Sequence, residues 1–259
     1  MSPNIWVYDI ETSPNLVYSW GIWDQNIGLN QIVETQDILC FAATKIGAKG
    51  IESHTAWDGY DGMIRRLHEI MDDADLLVGY NHINYDNKHV RAAFVKAGLT
   101  PPSPHRDIDL MREVKRNFKF QSYKLAHVCQ ELGLSMKSDP GGFDTWKQIL
   151  AGEGEAQAAA QRRMVKYCRN DTKITAELFH RLRPWIAGLN IPLYDSGGTD
   201  TGTSLVGARC TKCDGTTIHS RGWAYTTTNR YRRYQCKKCG GWMRAAKSEP
   251  VVSAVLRNG

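Results

Sequence analysis

Four carboxylates and four cysteines carry the chemistry this sequence could perform. In MVKYCRNDTKITAELF (residues 164–179), Met164, Tyr167, Asp171, Ile174 and Leu178 recur at helical spacing and share one face. Asp171 stands where a hydrophobe is expected. Burying an unpaired carboxylate costs on the order of several kcal/mol, so Asp171 is either paired, hydrogen-bonded or metal-bound, or it sits wet at a rim. In YDIET, Asp9 and Glu11 occupy positions i and i+2 of a strand and project from the same face. Like charges that close raise each other's pKa unless a cation holds them, the plainer alternative being a polar strand end entering the turn ETSPN. Asp86, in NHINYD, opens a helix and can cap its amides. It also shares a face with Val90, Ala93 and Ala97, which would aim it along the packed side. Asn81, just upstream, can fix its loop by hydrogen bonds.

Cys210 and Cys213, then Cys236 and Cys239, form two Cys-x2-Cys pairs with 22 residues between them. Such pairs fit tetrahedral Zn²⁺, and four thiolates leave no open position, so the site is structural. A second matched pair disfavours a redox dithiol. The intervening residues are rich in Thr and aromatics and read as a β-hairpin. A piece of about 40 residues buries too little apolar area to fold alone, so zinc should be needed. Cys40, Cys129 and Cys168 stand singly and read as small core residues in a reducing compartment.

The elements that must position these groups follow from periodicity. NIWVYDI, LVYSWGIW and DILCFAATKIG have strand character, with a shorter candidate at GIESHTA. DGMIRRLHEIMDDA is helical, DLLVGY is a short buried strand, and DNKHVRAAFVKAG is a helix closed by Gly98. A short strand is expected around Ile108, then helices at LMREVKRNF, KLAHVCQELG and DTWKQILAG and a long one from about Glu155 to Arg183. Strands first, then alternation, imply an α/β fold: a mixed sheet covered by helices. DSGGTDTGTS (195–204) reads as a mobile linker. The expected organisation is therefore a body over 1–187, a linker over 188–207, a small all-β zinc ribbon over 208–247 and a tail over 248–259.

Charge divides the chain in the same way. Residues 209–247 hold ten Lys or Arg against Asp214, a charge of +9, which leaves −3 for the rest of a chain whose net charge is +6. A basic appendage on a mildly acidic body points to a polyanionic partner. No window approaches the roughly 18 apolar residues of a membrane span, and the start lacks a basic region followed by an apolar one, so a cytoplasmic protein with no membrane partner is expected.

YDIET, NHINYD and YCRND, in that order, resemble the three motifs of the DEDD 3′–5′ exonucleases, a DnaQ-like group with an RNase H-like fold. Tyr167 and Asp171 match the tyrosine (DEDDy) form of the third motif; the position that would carry histidine is Lys166. The wider pattern over residues 4–185, including SYKLAHVCQELGL, looks like the exonucleases related to family B DNA polymerase editing domains, many of them encoded by phages. The resemblance implies two Mg²⁺ or Mn²⁺ ions: Asp9 shared by both, Glu11 and Asp171 on the one that activates water, Asp86 supporting the second, and Tyr167 orienting the water. It also implies single-stranded DNA as substrate, in a bacterium or phage-infected cell. RNA-directed cleavage, endonucleolytic cleavage and a non-catalytic nucleic-acid adaptor stay open. KRNFKFQSYK (115–124) interleaves basic residues with Phe118, Phe120 and Tyr123, which suits strand binding through Lys119, Tyr123 and Lys124, with Asn81 nearby; a loop anchored by core aromatics is the alternative. His82, His89 and His105 read as hydrogen-bonding or solvated. The ribbon, with Arg232 and Arg233 among its cations, is expected to bind nucleic acid, the competing use being docking to a polymerase or another replication protein.

Overall fold

A computed structural model of the chain describes residues 3–136, 139–191, 208–225 and 229–248. In chain order its elements are β1 (Ile5–Thr12), β2 (Leu16–Val17), β3 (Ile32–Glu34), β4 (Ile38–Lys45), β5 (Glu52–Thr55), α1 (Tyr60–Asp73), β6 (Leu76–Gly79), α2 (Asp86–Lys96), β7 (Arg106–Asp109), α3 (Leu110–Asn117), α4 (Leu125–Glu131), α5 (Phe143–Ala151), α6 (Gly154–Leu182), β8 (Ile218–Tyr225), β9 (Arg230–Cys236) and β10 (Trp242–Arg244). They fall into two compact units, Asn4–Phe179 and the remainder.

The first unit is built on a five-stranded sheet in the order β5-β4-β1-β6-β7. β1 runs antiparallel to β4 and parallel to β6, so the sheet is mixed, as the sequence pattern implies. Alternation along β1 explains why it is central. Trp6, Tyr8 and Ile10 point to one face and join a core with Met63, Ile64, Leu67 and Ile70 of α1 and Val90 and Phe94 of α2. On the other side, Leu39, Cys40 and Ala42 of β4 pack with Ile149 of α5 and Ala160, Met164, Tyr167 and Cys168 of α6. Helices therefore cover both faces.

The buried residues of α1, Met63, Ile64, Leu67, Ile70 and Met71, recur at spacings of three and four. α2 ends as expected at Gly98, whose φ of +67° favours glycine. There Gly98 N donates to Val95 O and Leu99 N to Phe94 O, which satisfies the last carbonyls. The expected strand LVYSWGIW forms only at Leu16–Val17, which pairs with β3, a strand the sequence reading lacked. Beyond it Tyr18, Trp20, Ile22 and Trp23 are exposed. Aromatic and β-branched content marks what fits a half-buried sheet, and among the described residues the pairing with β3 stops after Tyr18 N donates to Gln31 O.

In the second unit, β8, β9 and β10 form an antiparallel sheet in the order β10-β9-β8. Gly222, with φ of +75°, sits where the β8–β9 register shifts between Ser220 and Trp223. Leu189 and Ile191, within the stretch expected as linker, are buried, and Ile191 N donates to Thr211 O (2.8 Å). The rest of that stretch, 192–207, and the tail from 249 lie outside the described residues. Among the described residues no helix is long and apolar enough to cross a membrane.

Candidate active site

Asp9 and Glu11 lie on the β1 face opposite Tyr8 and Ile10, toward α6. Asp171 projects from α6 between the fully buried Met164 and Ile174. The carboxylate oxygens of Asp9, Glu11 and Asp171 come within 4.8 Å of one another. Asp171 is only 3% exposed, so a packed helix face does carry it into the site. The β1–β4 register slips between Glu11 and Thr12, a bulge that places Leu39 as an extra residue beside the carboxylates. Cys168, next to Tyr167 and three residues before Asp171, donates from Sγ to Asp9 O (3.4 Å), and burial, then its contact with Cys40, pushes its thiol pKa up.

Asp86 stands apart from the trio. The β1–β6 ladder ends at Val7, and beyond it the amide of Ile10 donates to Asp86 Oδ1 (3.3 Å). The fourth carboxylate is thus anchored to the backbone between Asp9 and Glu11. Burial raises its pKa to about 6, against the opposing pull of its backbone hydrogen bonds and of His82. A buried polar network fixes its helix. Tyr8 OH donates to Asn87 Oδ1 (2.5 Å), Asn87 Nδ2 donates to Asp107 Oδ1 (3.0 Å), and His82 Nε2 meets the same oxygen at 3.1 Å. Burial alone would raise Asp107, but its bonds to His82 and Asn87 outweigh that and hold it below the usual carboxylate range.

A cleft of about 560 Å³ opens on Asp9 and Asp171 and is also lined by Tyr80, Lys115, Tyr123 and Lys124. The segment 115–124 therefore does reach the carboxylates. Tyr80 OH donates to Tyr123 O (2.6 Å), and the Lys115 ammonium lies 5.8 Å from the Tyr123 ring centroid. Phe118 and Phe120 pack against each other at 5.9 Å, so part of the segment is anchored by aromatics, as the alternative reading had it. Lys119 and Asn81 do not line this cleft. Asn81 works through its backbone: at φ +63° its N donates to Asp109 Oδ1 (2.9 Å), while its carbonyl accepts from Asn84 and Tyr85. A second cleft of about 440 Å³, on the Glu11 side, is lined by Thr12, Gln36, Tyr85, Phe143 and Trp146. A depression of about 610 Å³ around Val33, Tyr60 and Leu150 is larger but brings no cluster of ligating side chains together among the described residues.

Thr12, Gln36 and Trp146 were missed in the sequence. Trp146 Nε1 donates to Thr12 O (2.9 Å), and Gln36 Nε2 donates to Thr12 Oγ1 (2.8 Å) and to Tyr85 OH (2.9 Å). The Tyr85 of NHINYD supplied the one available signal. Tyr167 is 9% exposed and packs with Leu39, Met164 and Cys168.

In the other unit Cys210, Cys213, Cys236 and Cys239 bring their sulfurs within 4.8 Å of one another. Cys210 lies 3.7 Å from Cys239, and Cys213 lies 3.7 Å from Cys236. Backbone amides point at the thiols, as Lys212 N does at Cys210 (3.4 Å). Four convergent thiols at the centre of a small buried cluster with Ile218 and Met243 are compatible with a small zinc ribbon. Arg232 and Arg233 belong to this unit, on consecutive positions of β9 that face opposite sides of its sheet.

The sequence model of the RNase H superfamily matches residues 7–183. No curated relative matches the chain. Among solved structures, the family B DNA polymerase from the hyperthermophilic archaeon Pyrobaculum calidifontis is similar at 15% identity and a TM-score of 0.46. That match covers 70% of this chain and 25% of the polymerase, so the chain spans about a quarter of its length.

Proposed function

The chain belongs to the RNase H superfamily, and from this we propose that it is a metal-dependent 3′–5′ exonuclease hydrolysing phosphodiester bonds of single-stranded DNA. The observation that carries the reading is the meeting of Asp9, Glu11 and Asp171 beside a cleft that Asp9 and Asp171 line together with Lys115, Tyr123 and Lys124.

The donor set fits two Mg²⁺ or Mn²⁺ ions. Oxygen ligands suit hard cations, and three carboxylates this close repel unless a cation compensates them. Asp9, Glu11 and Asp171 would hold the ions directly, with Asp86 in support behind Ile10. When bound, such ions supply Lewis acidity toward the phosphate and a nucleophile at neutral pH. The chain's own groups do the rest. Tyr167 would orient the attacking water, Lys115 and Lys124 would balance the charge of the strand, and Tyr123 would stack on a terminal base. The buried Tyr8–Asn87–Asp107 network would keep Asp86 aligned. One structural Zn²⁺ at the four cysteines would hold the basic ribbon, which assists nucleic-acid binding.

The test is a digestion series with 5′- and 3′-labelled DNA and RNA oligonucleotides in Mg²⁺ or Mn²⁺. A one-nucleotide ladder descending from the 3′ end of DNA is expected. Internal cuts, or cleavage of RNA alone, would overturn the proposal.

A further inference from the structure

β9 carries arginines on both of its faces. In register, Arg233 lies opposite Arg244 and Gln235 lies opposite Trp242, so Tyr231, Arg233, Trp242 and Arg244 share one face of the ribbon sheet. Arg230, Arg232 and Cys236 take the other, where Trp223 meets both guanidiniums at 4.2 Å. Cys236 belongs to the cysteine core, so the first face points away from it.

On that outward face the guanidinium of Arg233 lies 4.9 Å from the Trp242 ring centroid, and that of Arg244 lies 4.1 Å from the Tyr231 centroid. Arg233 Nε also donates to Arg221 O (3.1 Å). Like charges directly opposed across a sheet destabilise it. The one acid within 209–247, Asp214, pairs with Arg209, so that stretch supplies no carboxylate to relieve them. Instead, ring faces hold the two guanidiniums side by side and pre-set their planes. Trp242 remains 47% exposed.

We infer that Tyr231, Arg233, Trp242 and Arg244 form a binding site for single-stranded nucleic acid, the paired guanidiniums taking backbone phosphates and the two rings stacking on bases. An acidic peptide would satisfy the charges but offers no planar partner for Trp242. A duplex offers phosphates but keeps its base faces stacked inside. The assignment rests on the ribbon being a nucleic-acid-binding element and names the face it uses; it does not depend on the carboxylate site being catalytic.

The experiment uses the full-length, zinc-loaded chain carrying Asp9→Asn, so that the probe survives, and reads the anisotropy of a labelled oligo-dT across a salt series. Arg233→Gln with Arg244→Gln is expected to weaken binding at least about tenfold and to flatten the log–log salt dependence by roughly 1.4, about 0.7 for each lost phosphate contact. Trp242→Ala should weaken binding about fivefold or more with the slope unchanged, and Trp242→Phe should restore most of the loss. Zinc content in each variant separates a lost contact from a lost fold, and the Trp242→Phe variant keeps the test decisive if Trp242→Ala loses zinc. Unchanged affinity in the double arginine variant, or displacement of oligo-dT by polyglutamate as readily as by unlabelled oligo-dT, would overturn the inference. Absence of cleavage by the wild-type chain would instead sink the nuclease proposal and leave this result standing.

Discussion

Asp171 sits on a helix whose neighbours Met164, Cys168, Ile174 and Leu178 are fully buried, whereas Cys210, Cys213 and Cys236 are themselves the buried members of the cluster that Ile218, Cys239 and Met243 pack against. In Asn4–Phe179 a two-sided hydrophobic core holds β1 and α6 in place, and the carboxylates are guests on elements that fold for other reasons. In the ribbon the candidate ligand set is itself the centre of the buried cluster. The body should therefore survive loss of any one carboxylate, while the ribbon should not survive loss of a thiolate.

The sharpest break in that comparison is Cys236→Ser. It should release zinc and abolish hydrogen-exchange protection across β8, β9 and β10, while β1 and α6 keep theirs; protection retained in the ribbon would mean that its sheet stands without metal. Next is Tyr167→Phe, which removes a hydroxyl and leaves a packed ring, so turnover on oligo-dT should fall about 10- to 100-fold with thermal stability preserved. Loss of stability with full turnover would make Tyr167 a packing residue only. Trp146→Phe should lower body stability by about 0.5–1.5 kcal/mol in urea unfolding through the lost bond to Thr12 O. The smallest effect concerns Glu52, which Arg66 holds below the usual carboxylate range chiefly by hydrogen bonding, aided by its charge. Because the folded pKa is lowered, that stabilisation is present above the unfolded pKa of about 4.3 and is lost as pH falls below it. Arg66→Gln should remove this acid-side dependence and leave the ribbon untouched; an unchanged pH profile would show that the pair is fully screened.

Much of this was legible in the residues. Asp9 and Glu11 follow from strand alternation, and Asp171 from helical period, because regular elements turn spacing into direction. The cysteine pairs needed only their spacing. What stayed hidden depends on register and long-range pairing: Trp146 reaches Thr12, and Gln36 reaches Tyr85, from distant parts of the chain. LVYSWGIW misled because strand content was read without a partner strand. Lys119 and Asn81 were grouped with Tyr123 and Lys124 by proximity in sequence, but only the latter pair lines the cleft. Arg232 and Arg233 are neighbours in sequence, yet neighbouring strand residues face opposite ways.

The most direct test of the central claim is Asp9→Ala assayed on 5′-labelled single-stranded DNA with Mg²⁺, alongside circular dichroism and thermal melting. We expect cleavage to disappear while the spectrum and melting temperature match wild type. Full activity in a correctly folded Asp9→Ala variant would contradict the carboxylate site as the seat of catalysis.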